Sequence, residues 1–301
     1  MQNKHYIIIN PTSGKGFAKR HKTDLLLKLK QLKTDYEFVF TEYKKHEIKL
    51  VQQAIKNGFR QFISIGGDGT LHHIINGILL QTAVPSVEIQ IGVIPLGTGN
   101  DWVKQYGIPN DIEKAITIIN KNKIVPQDIG KIIFENEASF FNNAAGIGFD
   151  GFVVNSHEKY KRFGVASYLI ASLMGLLKYK KSTLEFQFNN TKVNSKILLT
   201  TIGICSFSGG GMRFTTNVNP NDGLFDITLV KDIRILSFIW NIGKMYNGKL
   251  HEHKKVSVEK TSEISIKIIE GIKPFIQADG ELIGQGDFSV KIIPNAINFV
   301  V

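Results

Sequence analysis

A chain of 301 residues, 43% apolar and 21% charged, has the composition of a globular protein of one large or two ordinary domains. Its 37 Lys and Arg against 26 Asp and Glu leave a net charge of +11, which favours polyanions such as nucleotides or an anionic membrane surface. The single cysteine, Cys205, excludes an internal disulfide framework and a cysteine-rich metal site, and the absence of a recognition motif argues against a nucleic-acid partner.

The first apolar run, Tyr6–Ile9, is too short for a signal h-region and is not followed by a small-residue cleavage site, so a reducing, cytoplasmic location is expected. Tyr6–Ile9 reads instead as a strand closed by Asn10-Pro11. Leu25, Leu29 and Leu32 recur at helical spacing, which predicts a helix over Lys19–Lys33. Tyr36–Thr41 reads as a strand and Glu47–Asn57 as a helix stopped by Gly58. Gln61–Ile65 is a third strand, Thr70–Leu80 a helix, Gln90–Ile94 a fourth strand, and Asp111–Asn120 a helix with Asp111 at its start. Alternating strands and helices predict a parallel sheet with helices on its faces, whose ligands lie at the carboxyl ends of the strands.

From about Ile129 the pattern becomes a run of short strands: Lys131–Phe134, Ser139–Phe141, Leu184–Phe188, Lys196–Ile204, Phe225–Val230, Lys254–Val258, Ser262–Ile268, Phe275–Ala278 and Phe288–Ile293. Helical stretches over about 160–180 and 233–246 interrupt them. Such a run predicts an antiparallel sandwich or barrel. The expected organisation is therefore an α/β domain over residues 1–128 and a β-rich domain over 129–301. The most membrane-like run, Phe163–Leu177, reaches only about 22 Å at about 1.5 Å per residue, and a bilayer core needs about 30 Å. It reads either as a helix packed on the second domain or, with Lys159, Lys161, Arg162, Lys178, Lys180 and Lys181 at its ends, as a contact for anionic headgroups.

Three small-residue loops follow strands. Asn10-Pro11-Thr12-Ser13-Gly14-Lys15-Gly16 lets backbone N–H groups approach an anion, yet lacks the Walker A spacing. Gly66-Gly67-Asp68-Gly69-Thr70 surrounds one carboxylate with glycines, a costly arrangement for a plain turn. Asp68 beside phosphate makes sense as a Mg²⁺ ligand or a proton acceptor. Pro95-Leu96-Gly97-Thr98-Gly99-Asn100-Asp101 repeats the same pattern. Together they predict a nucleotide site.

In order and spacing, Asn10–Gly14, Gly66–Thr70 and Pro95–Asp101 resemble the diacylglycerol kinase catalytic-domain superfamily, and most resemble its soluble bacterial branch. Further matches are Asn142–Asp150, Asn219–Asp226 and Asp279-Gly280-Glu281. The Gly-Gly-Asp-Gly-Thr pentad alone is also shared with NAD kinases. The resemblance implies an N-terminal nucleotide-binding domain, a mostly antiparallel C-terminal β-sandwich, and transfer of the γ-phosphate of ATP to a lipid hydroxyl. It assigns the three loops and Thr41 to the nucleotide. Asp222, with the carbonyls of Asn219 and Leu224, is implied to hold a structural Mg²⁺; an Asx turn without metal is the other reading. Asp279 is favoured as the base, with Glu281 the second candidate, and a plain Asp-Gly hairpin turn is the alternative. Asp101 and Asp128 are expected to join Asp68 and Asp279 around the catalytic Mg²⁺. The expected setting is peripheral, at the inner membrane surface, with room for a homodimer. An NAD kinase and a non-catalytic lipid-binding protein of the same fold are the rival readings.

Overall fold

The computed structural model describes residues 4–160, 179–214, 218–233, 237 and 240–301, with the side chains of 157–160 excepted. The helix expected over about 160–180 therefore lies, apart from its ends, outside the described residues. The chain divides into two compact units: Met1–Ile129 with Gly209–Gly211 and Ile293–Val301, and Gly130–Ser208 with Met212–Ile292.

The first unit is a parallel sheet covered by helices. Strands β1 (His5–Ile9), β2 (Tyr36–Phe40), β3 (Gln61–Gly66) and β4 (Gln90–Pro95) lie in the order β4-β3-β1-β2. Asn298 and Phe299 of the chain's last strand add a parallel neighbour to β4. Ile7, Ile8, Ile9, Ile63, Ile65 and Ile91 are fully buried. These near-continuous apolar runs are what a strand covered on both faces requires. The helices are α1 (Ser13–Arg20), α2 (Lys22–Leu29), α3 (His46–Lys56), α4 (Asp68–Leu80), α5 (Asp101–Gln105) and α6 (Ile112–Lys121). Helices α3 and α4 meet at backbone distance, since a Cβ on Gly77 would stand 3.0 Å from the Ile48 Cα. Asp111 caps α6 through the Lys114 N–H at 2.9 Å.

The single helix expected over Lys19–Lys33 is two helices. His21, at φ −112° and ψ 32°, breaks the ladder: its N–H closes on the Phe17 carbonyl while its own carbonyl starts the next helix at Leu25. The periodic leucines lie on α2 and just beyond it, so periodicity identified the buried face but not the break. Helix α5 escaped the sequence reading because five residues are too few to show a period. Packing holds it instead. Trp102 Nε1 and the Tyr106 hydroxyl both donate to Gln127 Oε1 at 2.8 Å, and the Trp102 ring stacks on Phe299 at 4.4 Å.

The second unit is antiparallel throughout. It takes the latter part of β5 (Ile124–Phe134), then β6 (Glu137–Phe141), β7 (Ala144–Gly148), α7 (Phe149–Tyr160), β8 (Ser182–Phe188) and β9 (Thr191–Gly203). A two-residue pair follows, β10 (Phe207–Ser208) with β11 (Met212–Arg213), then β12 (Phe225–Lys231) and α8 (Ile242–Tyr246). The last strands are β13 (Val256–Thr261), β14 (Glu263–Glu270), β15 (Phe275–Ala278), β16 (Glu281–Gln285) and the Phe288–Lys291 part of β17 (Phe288–Val300). One path runs β16-β15-β7-β9-β8-β14-β17, and β12 and β13 extend from β9. Long strand β9 joins these layers: Thr191–Ile197 pairs with β8, while Leu199–Gly203 pairs with β7 and β12. Its burial follows suit, alternating in the first half and continuous in the second. Strand β7 was missed because Ala and Gly have little strand preference; tertiary pairing with β9 and β15 imposes it. Of the helix expected over about 233–246, Ser237, Trp240 and Ile242–Tyr246 are helical among the described residues, and Ile233 is not.

Gln127 is fully buried and accepts from two side chains of the α5 segment. Gln127→Leu should cost about 1–3 kcal/mol for each deprived donor. Urea denaturation reads this directly, and unchanged stability would show that Gln127 is not the anchor of α5.

Candidate active site

The three small-residue loops leave the carboxyl ends of β1, β3 and β4, and they touch one another. The Asn10 side chain ties the first loop to the second: its Nδ2 donates to Thr70 Oγ1 at 3.0 Å, and its Oδ1 accepts from Thr12 N and Oγ1 at 3.0 and 2.8 Å. Gly14, Lys15 and Gly16 follow with φ of 57°, 57° and 79°. A Cβ on Gly14 would overlap the Leu96 carbonyl of the third loop, so the left-handed turn lies directly against that loop. Gly67 and Gly97 pack still closer. A Cβ on Gly97 would stand 2.5 Å from both the Gly67 Cα and Asn100 Oδ1. Small residues of this kind are what lets backbone approach phosphate oxygens.

Asp68 closes this arrangement. Its Oδ2 accepts from Asp101 N at 3.0 Å and its Oδ1 from Trp102 N at 3.2 Å, so a carboxylate from the second loop holds the first turn of α5. Asn100, left-handed at φ 47°, donates from Nδ2 to the Gly97 carbonyl and to Asn110 Oδ1 at 3.0 and 2.8 Å. Thr98 is exposed at the loop tip, and Pro11 and Ser13 are half-buried in the first loop. Thr41 is buried at the end of β2, its N–H donated to the Ile9 carbonyl beside the first loop.

The expected metal carboxylates fare differently. Among the described residues, no three His, Cys, Asp or Glu side chains converge to hold an ion. Mg²⁺ carried on nucleotide phosphates asks for only one or two carboxylates, however. Asp68 suits that role by position: Asp68 Oδ2 and Asp101 Oδ2 lie 3.2 and 3.8 Å from the point where a Gly99 Cβ would be. Asp101 is already neutralised, by Lys104 Nζ at 2.7 Å, and its Oδ2 accepts from Gly210 N at 2.7 Å. Asp128 is fully buried, with its Oδ1 accepting from Asn295 N at 2.7 Å.

In the second unit, Asp279-Gly280 is the two-residue turn of the β15–β16 hairpin, at φ 49° and 81°, with Ala278 opposite Glu281. The Asp279 carboxylate is drawn into the backbone. Its Oδ1 accepts from Asn143 N and Ala144 N at 3.0 and 3.2 Å, and its Oδ2 from Asn142 N at 3.1 Å. Its own N–H donates to the Ala144 carbonyl. Gln277 pins the turn from below, accepting from Gly280 N at 3.0 Å and donating to Asp150 Oδ2 at 3.1 Å. Burial raises the Asp150 carboxyl to about 6, against the pull of its hydrogen bonds. Gly146 is required here, because a Cβ would overlap that carboxyl. Gln277 gave no sequence signal, since a lone Gln in a strand has no pattern to stand out from. Burial, and then Asp279, pushes the Cys205 thiol well up, which leaves it inert.

The Asn219–Asp226 turn does not fit a divalent ion as it stands. Asp222 N donates to the Asn219 carbonyl, and Asp222 Oδ1 accepts from Leu224 N at 3.1 Å, the bonds of an Asx turn. The remaining oxygen meets Lys260 Nζ at 3.0 Å. Lys260 stands directly across from Asp226 in the β12–β13 pair and reaches its carboxylate at 3.6 Å. Burial pushes the Asp226 carboxyl up to about 6, with Lys260 pulling the other way. An ammonium thus supplies the positive charge that Asp222, Asn219 and Leu224 were expected to take from Mg²⁺.

Comparison with known proteins agrees with this geometry. Residues 4–132 match the family model described as diacylglycerol kinase catalytic domain, and residues 143–301 match the YegS C-terminal NAD kinase beta sandwich-like domain. A diacylglycerol kinase of Staphylococcus carnosus is 28% identical over 286 residues, 95% of this chain and 90% of its own. One from Staphylococcus aureus is 29% identical over 95% of this chain and 88% of its own. The crystal structure of a diacylglycerol kinase from Bacillus anthracis superposes with a TM-score of 0.75 at 22% identity, covering 99% of this chain and 96% of that one. A second structure from the same strain reaches 0.80 at 24% identity, over 99% and 97%.

Gly97→Ala should force the second and third loops apart at a cost of about 1–3 kcal/mol. Thermal denaturation measures it, and an unshifted midpoint would mean that the loops do not pack as described. Lys260→Met should lower stability by about 1–2 kcal/mol, between the exposed and buried limits for an ion pair. EDTA should leave the wild-type midpoint unchanged; a drop on chelation would show that a metal, not the ammonium, closes the turn.

Proposed function

From a chain that belongs to the diacylglycerol kinase family, we infer that the reaction is transfer of the γ-phosphate of ATP to the hydroxyl of a lipid, diacylglycerol or a close relative. The observation that carries the reading is the backbone-to-backbone packing of Gly67 on Gly97 at the ends of parallel strands, with the Asp68 carboxylate bonded to the start of α5. Backbone that approaches this closely at strand ends suits phosphates. The first unit, up to the expected boundary at 128/129, takes the nucleotide. Its loops orient the phosphates and offer N–H groups to the charge that develops on the transferring group. Bound Mg²⁺, held at Asp68, supplies charge neutralisation on the triphosphate.

The second unit supplies the acceptor side. A lipid alcohol needs a carboxylate to take its proton. Sequence reasoning favoured Asp279, but three backbone N–H groups engage both of its oxygens. Those bonds turn both oxygens toward the backbone that they hold. Asp279 therefore builds the hairpin that presents Glu281, and Glu281 accepts the proton. Among the described residues no helix is long and apolar enough to cross a membrane. In this reading the chain approaches its lipid peripherally, at the inner membrane surface.

Assay with labelled ATP against diacylglycerol, extracted lipids and NAD separates a lipid kinase from an NAD kinase, and phosphorylated NAD in place of lipid would overturn the reading. Glu281→Gln should lower kcat about 10²–10⁴-fold with an unchanged melting point. Asp279→Asn should lose activity together with stability. If Glu281→Gln turns over normally and Asp279→Asn does not while remaining folded, the base is Asp279.

A further inference from the structure

Helix α8 and the residues on either side of it have an inward and an outward set of apolar side chains. Inward, Ile233, Met245 and Leu250 are 4%, 3% and 2% exposed and pack in a core with Phe149, Val153 and Leu199. Outward, Trp240 is 87% exposed and Tyr246 51%. Apolar rings of this size left in water carry no benefit to the fold of an isolated chain.

The lysines around them are crowded and poorly compensated. Trp240–Lys255 contains Lys244, Lys249, Lys254 and Lys255 against a single carboxylate, Glu252. Lys249, Lys254 and Lys255 are exposed, and Lys244 meets Glu252 only at 3.6 Å. The segment is compact. Lys249 N donates to the Lys244 carbonyl, and Lys255 N to His253 Nδ1 at 3.1 Å. The local field is positive enough that, after burial, Lys244, Lys254 and Lys255 hold the His253 pKa below its ordinary value. An exposed Trp and Tyr in a segment with four lysines and one carboxylate match the two layers of an anionic bilayer surface: rings for the headgroup level, ammonium groups for phosphates.

We propose that the Trp240–Lys255 surface docks the protein on an anionic lipid bilayer. Trp240 and Tyr246 enter the headgroup layer, and Lys244, Lys249, Lys254 and Lys255 meet lipid phosphates. This lies outside the carboxylates and loops assigned to transfer, and it needs neither nucleotide nor acceptor. Binding can therefore be tested apart from catalysis.

The chain has two tryptophans, and Trp102 is 1% exposed, so a change in emission on binding reports Trp240. Full-length protein is titrated with phosphatidylcholine vesicles and with mixed phosphatidylcholine–phosphatidylglycerol vesicles, and co-sedimentation is measured in parallel. A blue shift and pelleting with the mixed vesicles only, both reversed by salt, are expected. Trp240→Ala should remove the shift. Each of the four lysines changed to Gln should weaken partitioning about fivefold, with melting points unchanged because the side chains lie at the surface. No shift with the mixed vesicles, or undiminished pelleting of the fourfold Gln variant, overturns the proposal. So does a shift that grows with protein concentration without vesicles, which would identify a second copy as the occupant. Binding to an oligonucleotide but not to vesicles would overturn it in favour of nucleic acid. A water-soluble short-chain diacylglycerol needs no bilayer, so failure to phosphorylate it would count against the kinase reading while leaving vesicle binding to be judged alone.

Discussion

Backbone lies on backbone where Gly67 meets Gly97, and the architecture of the first unit follows from that contact. Two loops from neighbouring parallel strands can approach this closely only if neither carries a Cβ. Once they do, the Asp68 carboxylate falls within reach of the N–H groups at the start of α5 and satisfies two donors that a helix N-terminus would otherwise leave open. Asn10 binds the remaining loop through Thr70 and Thr12. A loop cluster of this kind resists relaxation because each side chain in it is fixed by the backbone of another loop. That rigidity is what a phosphate site needs, since donors must be aimed before the charge arrives.

The second unit solves a different problem with the same means. The Asp279-Gly280 turn is short, and its shape is set from two sides: by N–H groups of Asn142, Asn143 and Ala144 on the carboxylate, and by Gln277 on Gly280 N. Gln277 in turn leans on Asp150, whose buried carboxyl needs that donor. The carboxylate that holds the turn and the one proposed as the base stand two residues apart. Lysines play a comparable part elsewhere. Lys104 on Asp101 and Lys260 between Asp222 and Asp226 put fixed ammonium groups beside carboxylates for which a metal had been the natural expectation.

Much of this was legible in the chain. The strands of the first unit stood out because a strand buried on both faces must be a run of Ile, Val and Phe bounded by turn residues. The three loops stood out because glycine is costly wherever it is not needed. The helix break at His21 did not, because the leucine period continues past it and only torsion angles show the interruption. Strand β7 was hidden in Ala144–Gly148, whose small residues are chosen for close packing beside Asp150 and not for strand preference. Asp279 was favoured as the base by resemblance, and the turn that its Asp-Gly pair also suggests is what the fold builds there. The bonds that commit it come from residues more than 130 positions away.

By itself, the sequence determined the kind of chemistry: glycine-rich loops at strand ends, carboxylates at set places among them, a shift from alternating to all-strand texture near Ile129, and a family resemblance over nearly the whole length. Those are local properties, written in residue type and spacing. Tertiary structure alone decided which carboxylate is bonded to distant backbone and which meets an ammonium. A carboxylate's role depends on the donors that surround it, and here those donors come from distant backbone and cross-strand neighbours. Asp68 carries both lessons. Its place among the glycines marked it in the sequence, but its grip on the first turn of α5 appears only when the third loop folds against it.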